Sequence, residues 1–216
     1  MKRQGLSGVS PILSHRTGPR VALSIRKVVQ MIPKGLLSRV APALLTLGML
    51  GTAPVLAAGT KAPAPTKAVD KAKLFTGKWI EIGRRPIKLT DGCVAGATNY
   101  LPQGGDKIDV TDTCNEGTPS GKLKTISGAG KILDPGTNTK LHVNYRFLGF
   151  VPVGRDYWIL DHDEAYSWFI ASNPDFTDLW IYTRATRPDP ALVKTLVEKA
   201  RALGYDVSKL EFPAQP

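Results

Sequence analysis

The side chains best suited to covalent or metal chemistry are two cysteines and three histidines, namely Cys93, Cys114, His15, His142 and His162. A zinc site needs cysteines and histidines in closely spaced pairs, and neither set is spaced in that way. The run from 162 to 164, His-Asp-Glu, lies in a predicted hairpin turn, where a solvated turn is the simpler interpretation. These residues therefore favour a disulfide bond over a metal centre.

The sequence lacks the short motifs of common enzyme classes. It contains no Gly-x-Ser-x-Gly, no His-Glu-x-x-His and no dinucleotide fingerprint. The run Gly128-Ala129-Gly130-Lys131 resembles part of a phosphate-binding loop, but it lacks the spacing and falls in a predicted strand. The sequence therefore predicts no catalytic residue, no metal and no cofactor, and a binding role rather than an enzymatic one.

The two cysteines are predicted to form a disulfide bond. Residues 100–110 have the pattern of two strands joined by a tight turn. Folding them about Gly104-Gly105 brings position 93 close to position 115 or 116, so Cys93 lies within a residue or two of Cys114. Closing a loop of about 20 residues would stabilise the fold by roughly 3 kcal/mol.

Charge is concentrated at the amino terminus. The formal net charge is +11, but residues 1–58 hold eight basic residues and no acidic one, while the remaining 21 basic residues accompany all 18 acidic ones. No stripe of lysine and arginine interleaved with aromatic residues follows. The sequence therefore argues against nucleic acid as a partner.

An export signal is predicted over residues 31–58. Lys34 and Arg39 precede an uncharged apolar run from 40 to 50, and Val55-Leu56-Ala57 supplies the small residues of a cleavage site. The run is shorter than the roughly 20 apolar residues of a membrane span and contains proline and glycine, so an anchor is the weaker alternative. Met31 is then a candidate start, which makes residues 1–30 an upstream extension.

The remaining chain is expected to hold a short linker and one domain. Residues 59–69 are rich in Pro, Ala, Thr and Lys and are predicted to be a disordered linker. No cysteine that could receive a lipid precedes Cys93. We therefore expect a periplasmic or secreted protein, with peripheral association with the outer membrane as the open alternative.

Residues 70–216 have the pattern of an all-β domain followed by one helix. Short apolar runs are separated by turn residues, which is typical of an antiparallel barrel or sandwich. Eight strands are predicted, at 77–84, 93–102, 106–115, 121–133, 139–148, 155–161, 166–172 and 178–185. Eight strands can close into a barrel that holds one small ligand. After Asp189 and Pro190, apolar residues at helical spacing predict a helix that ends near Gly204 and packs outside the barrel. A short last strand is predicted at 208–212.

Three separated signatures carry a resemblance to a known family. They are Gly77-Lys78-Trp79, the run from Gly154 to Asp161 that contains Asp156-Tyr157, and the run from Leu179 to Arg184 just before the helix. In this order they resemble the lipocalins, most closely the bacterial lipocalins related to apolipoprotein D. The resemblance implies an eight-stranded antiparallel up-and-down barrel over residues 70–216.

The resemblance also implies roles for four residues. Trp79 would close the barrel floor and Arg184 would pack across it, while Gly77 would let the chain pass close beneath. Asp156 belongs to a family pattern in which Arg155 stands here in place of threonine. These positions are structural rather than ligand-binding.

A lipocalin would hold a small apolar ligand among inward-facing aromatic residues. Eight aromatic residues are candidates, of which the first six are preferred: Tyr100, Tyr145, Phe147, Tyr157, Trp168, Trp180, Trp158 and Tyr182. Such a lining suits an acyl chain with a polar head, and Arg146 or Arg155 could pair with a carboxylate or phosphate. The expected function is carriage or storage of a fatty acid or lysophospholipid. Open alternatives are a tetrapyrrole or isoprenoid carrier, an enzyme on the same barrel, and an envelope interaction module.

Overall fold

A computed structural model describes residues 61–216. The predicted signal peptide and upstream extension lie outside this range. Eight antiparallel strands form one closed barrel in which each strand pairs with its neighbours in sequence and β1 pairs with β8. The strands are β1 Gly77–Arg84, β2 Cys93–Pro102, β3 Lys107–Glu116, β4 Leu123–Ile132, β5 Lys140–Phe147, β6 Val151–His162, β7 Trp168–Ser172 and β8 Leu179–Thr183. The predicted fold class is therefore confirmed.

Two helices flank the barrel. The short α1, Lys71–Leu74, precedes β1, and α2, Pro190–Ala202, follows β8. Asp189 caps α2 by accepting a hydrogen bond from the Ala191 backbone N–H. One face of α2 is buried through Leu196 and Ala200 against isoleucines on the outer faces of β1, β7 and β8. The predicted external helix is thus confirmed, and its apolar face stabilises one side of the barrel.

Two sequence predictions are corrected. Residues 151–154, predicted as a break, form the start of β6, and the turn lies at 148–150. Proline is tolerated at an edge strand, and β7 pairs only with the part of β6 from Trp158 onward, so Pro152 disturbs no ladder on that side. The predicted last strand at 208–212 is instead a 3₁₀ turn, Val207–Lys209, followed by one isolated bridge between Glu211 and Arg84.

Residues 61–69 lie along the barrel, which differs from the disordered linker that their composition predicts. The Ala62 N–H donates to the Pro174 carbonyl at 3.0 Å and the Val69 N–H donates to the Thr137 carbonyl at 2.8 Å. Both side chains are buried. Backbone pairing and two apolar anchors therefore hold this segment, although its sequence lacks any helix or strand pattern.

The predicted disulfide bond is confirmed between Cys93 and Cys114, whose Cα atoms are 5.5 Å apart. The β2–β3 ladder pairs Cys93 with Glu116, as folding about the Gly104-Gly105 turn requires. The bond joins the start of β2 to the end of β3 at one rim of the barrel. This rim is called the open end below, and the opposite rim, where β1 begins, is called the closed end.

Candidate ligand-binding cavity

The closed end is sealed by Trp79 and Arg184. Trp79 is fully buried and its indole N–H donates to the Leu74 carbonyl at 2.8 Å. The Arg184 guanidinium carbon lies 3.6 Å from the centre of the Trp79 ring, and its N–H groups donate to the carbonyls of Lys73, Thr76 and Lys78. Burial lowers the pKa of Arg184 from its ordinary value. A cation over an indole face is attracted by the ring quadrupole, so this pair closes the barrel without a ligand.

Gly77 lies directly beside this seal. Its φ is +63°, a left-handed conformation that glycine adopts without strain. A Cβ atom there would be 3.7 Å from an Arg184 guanidinium nitrogen. The conformation, rather than the space, is therefore what requires glycine.

The lower half of the barrel, next to the closed end, is filled with side chains. Phe75 packs edge-on against Tyr100 at 5.4 Å, and Phe169 lies 4.7 Å from Trp79 and 4.6 Å from Tyr182. Aliphatic side chains from four further strands complete this layer, namely Ile108, Val110, Ile132, Leu141, Val143 and Ile159. Tyr100, predicted to bind ligand, therefore packs beneath the cavity and does not line it.

The upper half of the barrel holds a cavity of about 750 Å³ that opens at the open end. This volume lies within the roughly 300–1,000 Å³ of small-molecule pockets. Four of the six preferred ligand-binding candidates line it, namely Tyr145, Phe147, Tyr157 and Trp180. Tyr182 lines it as well, and aliphatic surface comes from Ile126, Leu148 and Val153. The cavity thus joins aromatic and aliphatic walls in one space.

Two of the candidate tryptophans lie on the outside of the barrel. Trp168 belongs to the cluster under α2, and the Lys199 ammonium lies 5.1 Å from its ring centre. Trp158 lies under the Lys140 ammonium at 4.8 Å. Side chains alternate between the faces of a strand, and the neighbouring Phe169 and Tyr157 take the inward positions. Trp168 therefore serves packing of the helix rather than the cavity.

Asp156 also lies on the outer face. Its carboxylate is 2.6 Å from His142 Nδ1. The hydrogen bond to Asp156 raises the pKa of His142, against a smaller opposing effect of burial. This pair joins β5 to β6, which agrees with a structural position.

A polar network forms the floor of the cavity. The hydroxyls of Tyr145 and Tyr157 are 3.0 Å apart, and the Thr98 hydroxyl donates to the Asp112 carboxylate at 2.6 Å. The Tyr182 hydroxyl lies 3.4 Å from Thr98 Oγ1. Three phenols, one hydroxyl and one carboxyl group can therefore face the buried end of a ligand.

Burial dominates the protonation behaviour of this floor. It raises the pKa of Asp112, while hydrogen bonds from Thr98 and Tyr145 and the charge of Arg155 oppose the shift. Burial also raises the pKa of the Tyr145, Tyr157 and Tyr182 phenols. The phenols stay neutral and keep both donor and acceptor capacity.

Arg84 forms two ion pairs at the cavity wall. The Arg84 guanidinium donates to Glu81 Oε1 and to Glu211 Oε1, both at 2.7 Å, and to the Cys93 carbonyl at 2.7 Å. Burial raises the pKa of Glu81 to about 7, although Arg84 opposes that shift. A Cβ atom on Gly96 would approach Glu81 Oε1 to 2.7 Å. Glycine at this position therefore makes room for the buried carboxylate.

Sequence reasoning missed Glu81, Arg84, Asp112 and Thr98 as cavity residues. The alternation of β3 carried a signal for Asp112, since Ile108 and Val110 precede it at two-residue steps. Glu81 likewise follows Trp79 by two residues. This spacing alone does not predict an inward position for Asp112 or Glu81, because charged residues are seldom buried unless they are paired.

Cations surround the upper wall. Lys124, Arg146 and Arg155 all line the cavity. Lys124 is paired with Glu116 at 2.8 Å and Arg155 lies 3.6 Å from Asp178. Arg146 is exposed and forms no ion pair within residues 61–216. It is the cation at the rim that is best placed to meet an anionic group.

Neither a metal cluster nor a membrane-crossing helix is found in the described range. No three His, Cys, Asp or Glu side chains within residues 61–216 are grouped to hold a metal ion. No helix over the same residues is long and apolar enough to cross a membrane.

The closed barrel, the sealed closed end and the cavity that opens at the other end define a class of barrel proteins that enclose a small ligand. A lipocalin-like domain matches residues 69–215. The chain therefore belongs to the lipocalin family, whose members are carriers of small hydrophobic ligands and in general binding proteins rather than enzymes.

Relatives from distant organisms agree with this assignment. The chain is 34% identical over 142 residues to temperature-induced lipocalin-1 of Arabidopsis thaliana, which covers 63% of this chain and 74% of the relative. It is 25% identical over 178 residues to the outer membrane lipoprotein Blc of Escherichia coli K12, covering 80% and 98% respectively. Insecticyanin from the tobacco hornworm Manduca sexta shares the fold with a TM-score of 0.56 at 20% identity, over 72% of this chain and 86% of insecticyanin.

Proposed function

We propose that the protein is an exported, non-enzymatic carrier that holds one fatty acid or lysophospholipid in the upper half of its barrel. The observation that supports this proposal is the cavity of about 750 Å³, which combines apolar walls with a small number of polar groups. Apolar surface supplies affinity at roughly 25 cal/mol per Å² before the costs of binding. The polar groups then select the head group.

The walls divide into two kinds of surface. Ile126, Phe147, Val153 and Trp180 offer contact to an acyl chain. Arg146 and Arg155 lie on the upper wall, where a guanidinium can bind a carboxylate or phosphate through paired hydrogen bonds. We therefore place an anionic head group at the rim beside Arg146, away from Asp112 and Glu81.

Export is proposed from the leader and the disulfide. Disulfide bonds persist in oxidising compartments such as the periplasm, and the bond between Cys93 and Cys114 is the only pairing of cysteines in the sequence. A related bacterial protein is an outer membrane lipoprotein. Cell fractionation of a carboxyl-terminally tagged protein tests this point, since recovery in the cytoplasm with both thiols reduced would contradict it.

The binding proposal is tested by native mass spectrometry of the purified protein, followed by titration with palmitate and with a palmitoyl lysophospholipid. We expect one molecule per barrel. Ile126→Trp, which places an indole inside the cavity, should weaken binding at least tenfold. Ala129→Trp on the exposed face of the same strand is the control and should bind as the unmodified protein does. Equal binding by the Ile126 variant would show that the ligand is not in the cavity.

A further inference from the structure

The hairpin between β5 and β6 has an exposed apolar tip. We call residues 147–153 the apolar lip. Phe150 is 74% exposed and Leu148 is 71% exposed, while Phe147, Val151 and Val153 are 36–40% exposed. Large exposed apolar patches mark binding surfaces or aggregation sites. The lip therefore carries more apolar surface than folding requires.

The exposed apolar residues are unevenly distributed over the described part of the chain. Leu89 and Leu123, exposed at 49% and 60%, lie at the same open end as the lip. At the closed end only Leu101 and Leu133 are large, apolar and exposed within residues 61–216. The turns there, such as Gln103-Gly104-Gly105-Asp106, are polar. Most of the exposed large apolar side chains therefore lie at the rim around the cavity.

The lip is continuous with the cavity. Phe147, Leu148, Gly149 and Val153 both belong to the lip and line the cavity. The same hairpin therefore contributes apolar side chains both to the cavity wall and to the exposed tip. A ligand that leaves the cavity along this path keeps contact with apolar side chains.

The barrel wall is also incomplete beside the lip. The β3–β4 ladder extends to Leu123, but the β4–β5 ladder runs only from Ile132–Leu141 to Gly128–Tyr145. Residues 123–127 of β4 therefore have no ladder partner on β5. Lys124, Ile126 and Phe147, which flank this opening, line the cavity. Strand pairing therefore does not close the wall here, and this is the place where a lateral entrance for an acyl chain would lie.

The charges around the lip favour an anionic surface. Residues 144–155 contain Arg146 and Arg155 and no acidic residue. Lys88 and Lys122 on the neighbouring loops of the open end are exposed and form no ion pair among the described residues, whereas Asp91 is the single acidic residue there without one. Basic residues next to inserted apolar side chains strengthen binding to anionic lipid.

We propose that the apolar lip docks the open end of the barrel on a bilayer that contains anionic phospholipid, and that ligand passes between bilayer and cavity through the opening between β4 and β5. Leu148 and Phe150 insert among the acyl chains, and Arg146 lies at the level of the lipid phosphates. The passage of ligand rests on the proposed carrier function. The docking itself does not.

Docking is tested by flotation with vesicles of phosphatidylcholine alone and with one third phosphatidylglycerol. We expect the purified protein to bind the mixed vesicles more tightly, and the preference to weaken at high salt. Leu148→Ser combined with Phe150→Ser should reduce binding to mixed vesicles roughly tenfold or more, because each large side chain loses its transfer into the apolar phase. Arg146→Gln should reduce the preference for phosphatidylglycerol.

Leu101→Ser combined with Leu133→Ser is the matched control, since these leucines have comparable exposure at the closed end. The control should bind vesicles as the unmodified protein does. The proposal is overturned if the lip variant keeps its vesicle affinity or if the control loses as much. It is also overturned if the lip mediates only self-association, so that light scattering shows a dimer which the lip variant dissolves without any change in vesicle binding.

A second readout separates this proposal from the carrier function. A variant with Phe150→Ser alone keeps every residue that lines the cavity. It should take up palmitoyl lysophospholipid from solution with unchanged affinity but acquire it from vesicles at least several-fold more slowly. Failure of the unmodified protein to take up the lipid from solution would contradict the carrier function alone. Equal transfer rates for the two proteins would contradict passage through the lip.

Discussion

The lower and upper halves of the barrel are built from the same eight strands but differ in what fills them. Below, aromatic and aliphatic side chains pack into a layer closed by Trp79 and Arg184. Above, the strands enclose a cavity whose floor holds Asp112 and three phenols. The comparison shows that the packed core lies in the lower half and the cavity in the upper half. Changes in one half should therefore leave the other half largely intact.

The largest expected effect on this division comes from Trp79→Ala, which empties the lower half. Removal of a fully buried tryptophan should lower the free energy of unfolding by about 3–5 kcal/mol. Urea denaturation followed by circular dichroism measures it. Trp158→Ala on the outer face is the control and should cost much less. A loss below about 1 kcal/mol for the Trp79 variant would mean that Trp79 contributes little to the stability of the core.

The disulfide tests whether the upper rim also supports the fold. Cys93→Ser combined with Cys114→Ser should lower the free energy of unfolding by roughly 3 kcal/mol, because the unfolded chain regains the entropy of a 21-residue loop. The same denaturation experiment measures this change. An unchanged midpoint would show that the bond serves only the shape of the cavity.

Glu81 makes the free energy of unfolding depend on pH. Its pKa is raised to about 7 mainly by burial, so the folded protein holds this proton more tightly than the unfolded chain does. Stability from this group is therefore present below about pH 4.5 and falls as the pH rises through 7, by on the order of 3 kcal/mol. Glu81→Gln should remove most of that slope when unfolding is measured at pH 5 and pH 8. An identical slope in the variant would assign the pH dependence to other groups.

The smallest effect is expected from Arg184→Lys. A lysine retains the charge over Trp79 but cannot reproduce the planar set of donors to three carbonyls, so the loss should be about 1 kcal/mol. The measurement is again the unfolding midpoint, and Arg187→Lys on the exposed surface is the control. A loss as large as that of Trp79→Ala would show that the arginine, rather than the indole, holds the closed end.

Much of the fold follows from turn residues and apolar runs, and β1 and β2 begin and end where the sequence predicts. Assignment of side chains to the inner or outer face was less accurate. Register shifts at Glu81/Gly83, Val94/Ala97 and Ile159/Asp161 interrupt the alternation. Such bulges depend on pairing between strands, which a single strand's sequence does not encode. The inward face of β7 could not be set from its sequence alone, so Trp168 was named as a ligand-binding candidate although its neighbour Phe169 takes the inward place.

The apolar lip illustrates a second reason why the structure differs from the sequence prediction. The sequence from 151 to 154 was predicted to be a turn because it contains proline and glycine. In the structure these residues extend β6, and the β5–β6 ladder runs to the pair Phe147–Val151. Residues 151–157 of β6 have no ladder partner on β7, and such unequal strand lengths are set by the whole barrel rather than by the sequence of one strand.

The disulfide has a further consequence for the rim. It joins β2 and β3 at the open end, and the chain joins them again at the turn of the closed end, so residues 93–114 form a covalent ring. This ring limits how far β2 and β3 can separate at the open end. Any widening of the mouth is then expected elsewhere on the rim, such as beside β4 and β5, where residues 123–127 have no ladder partner.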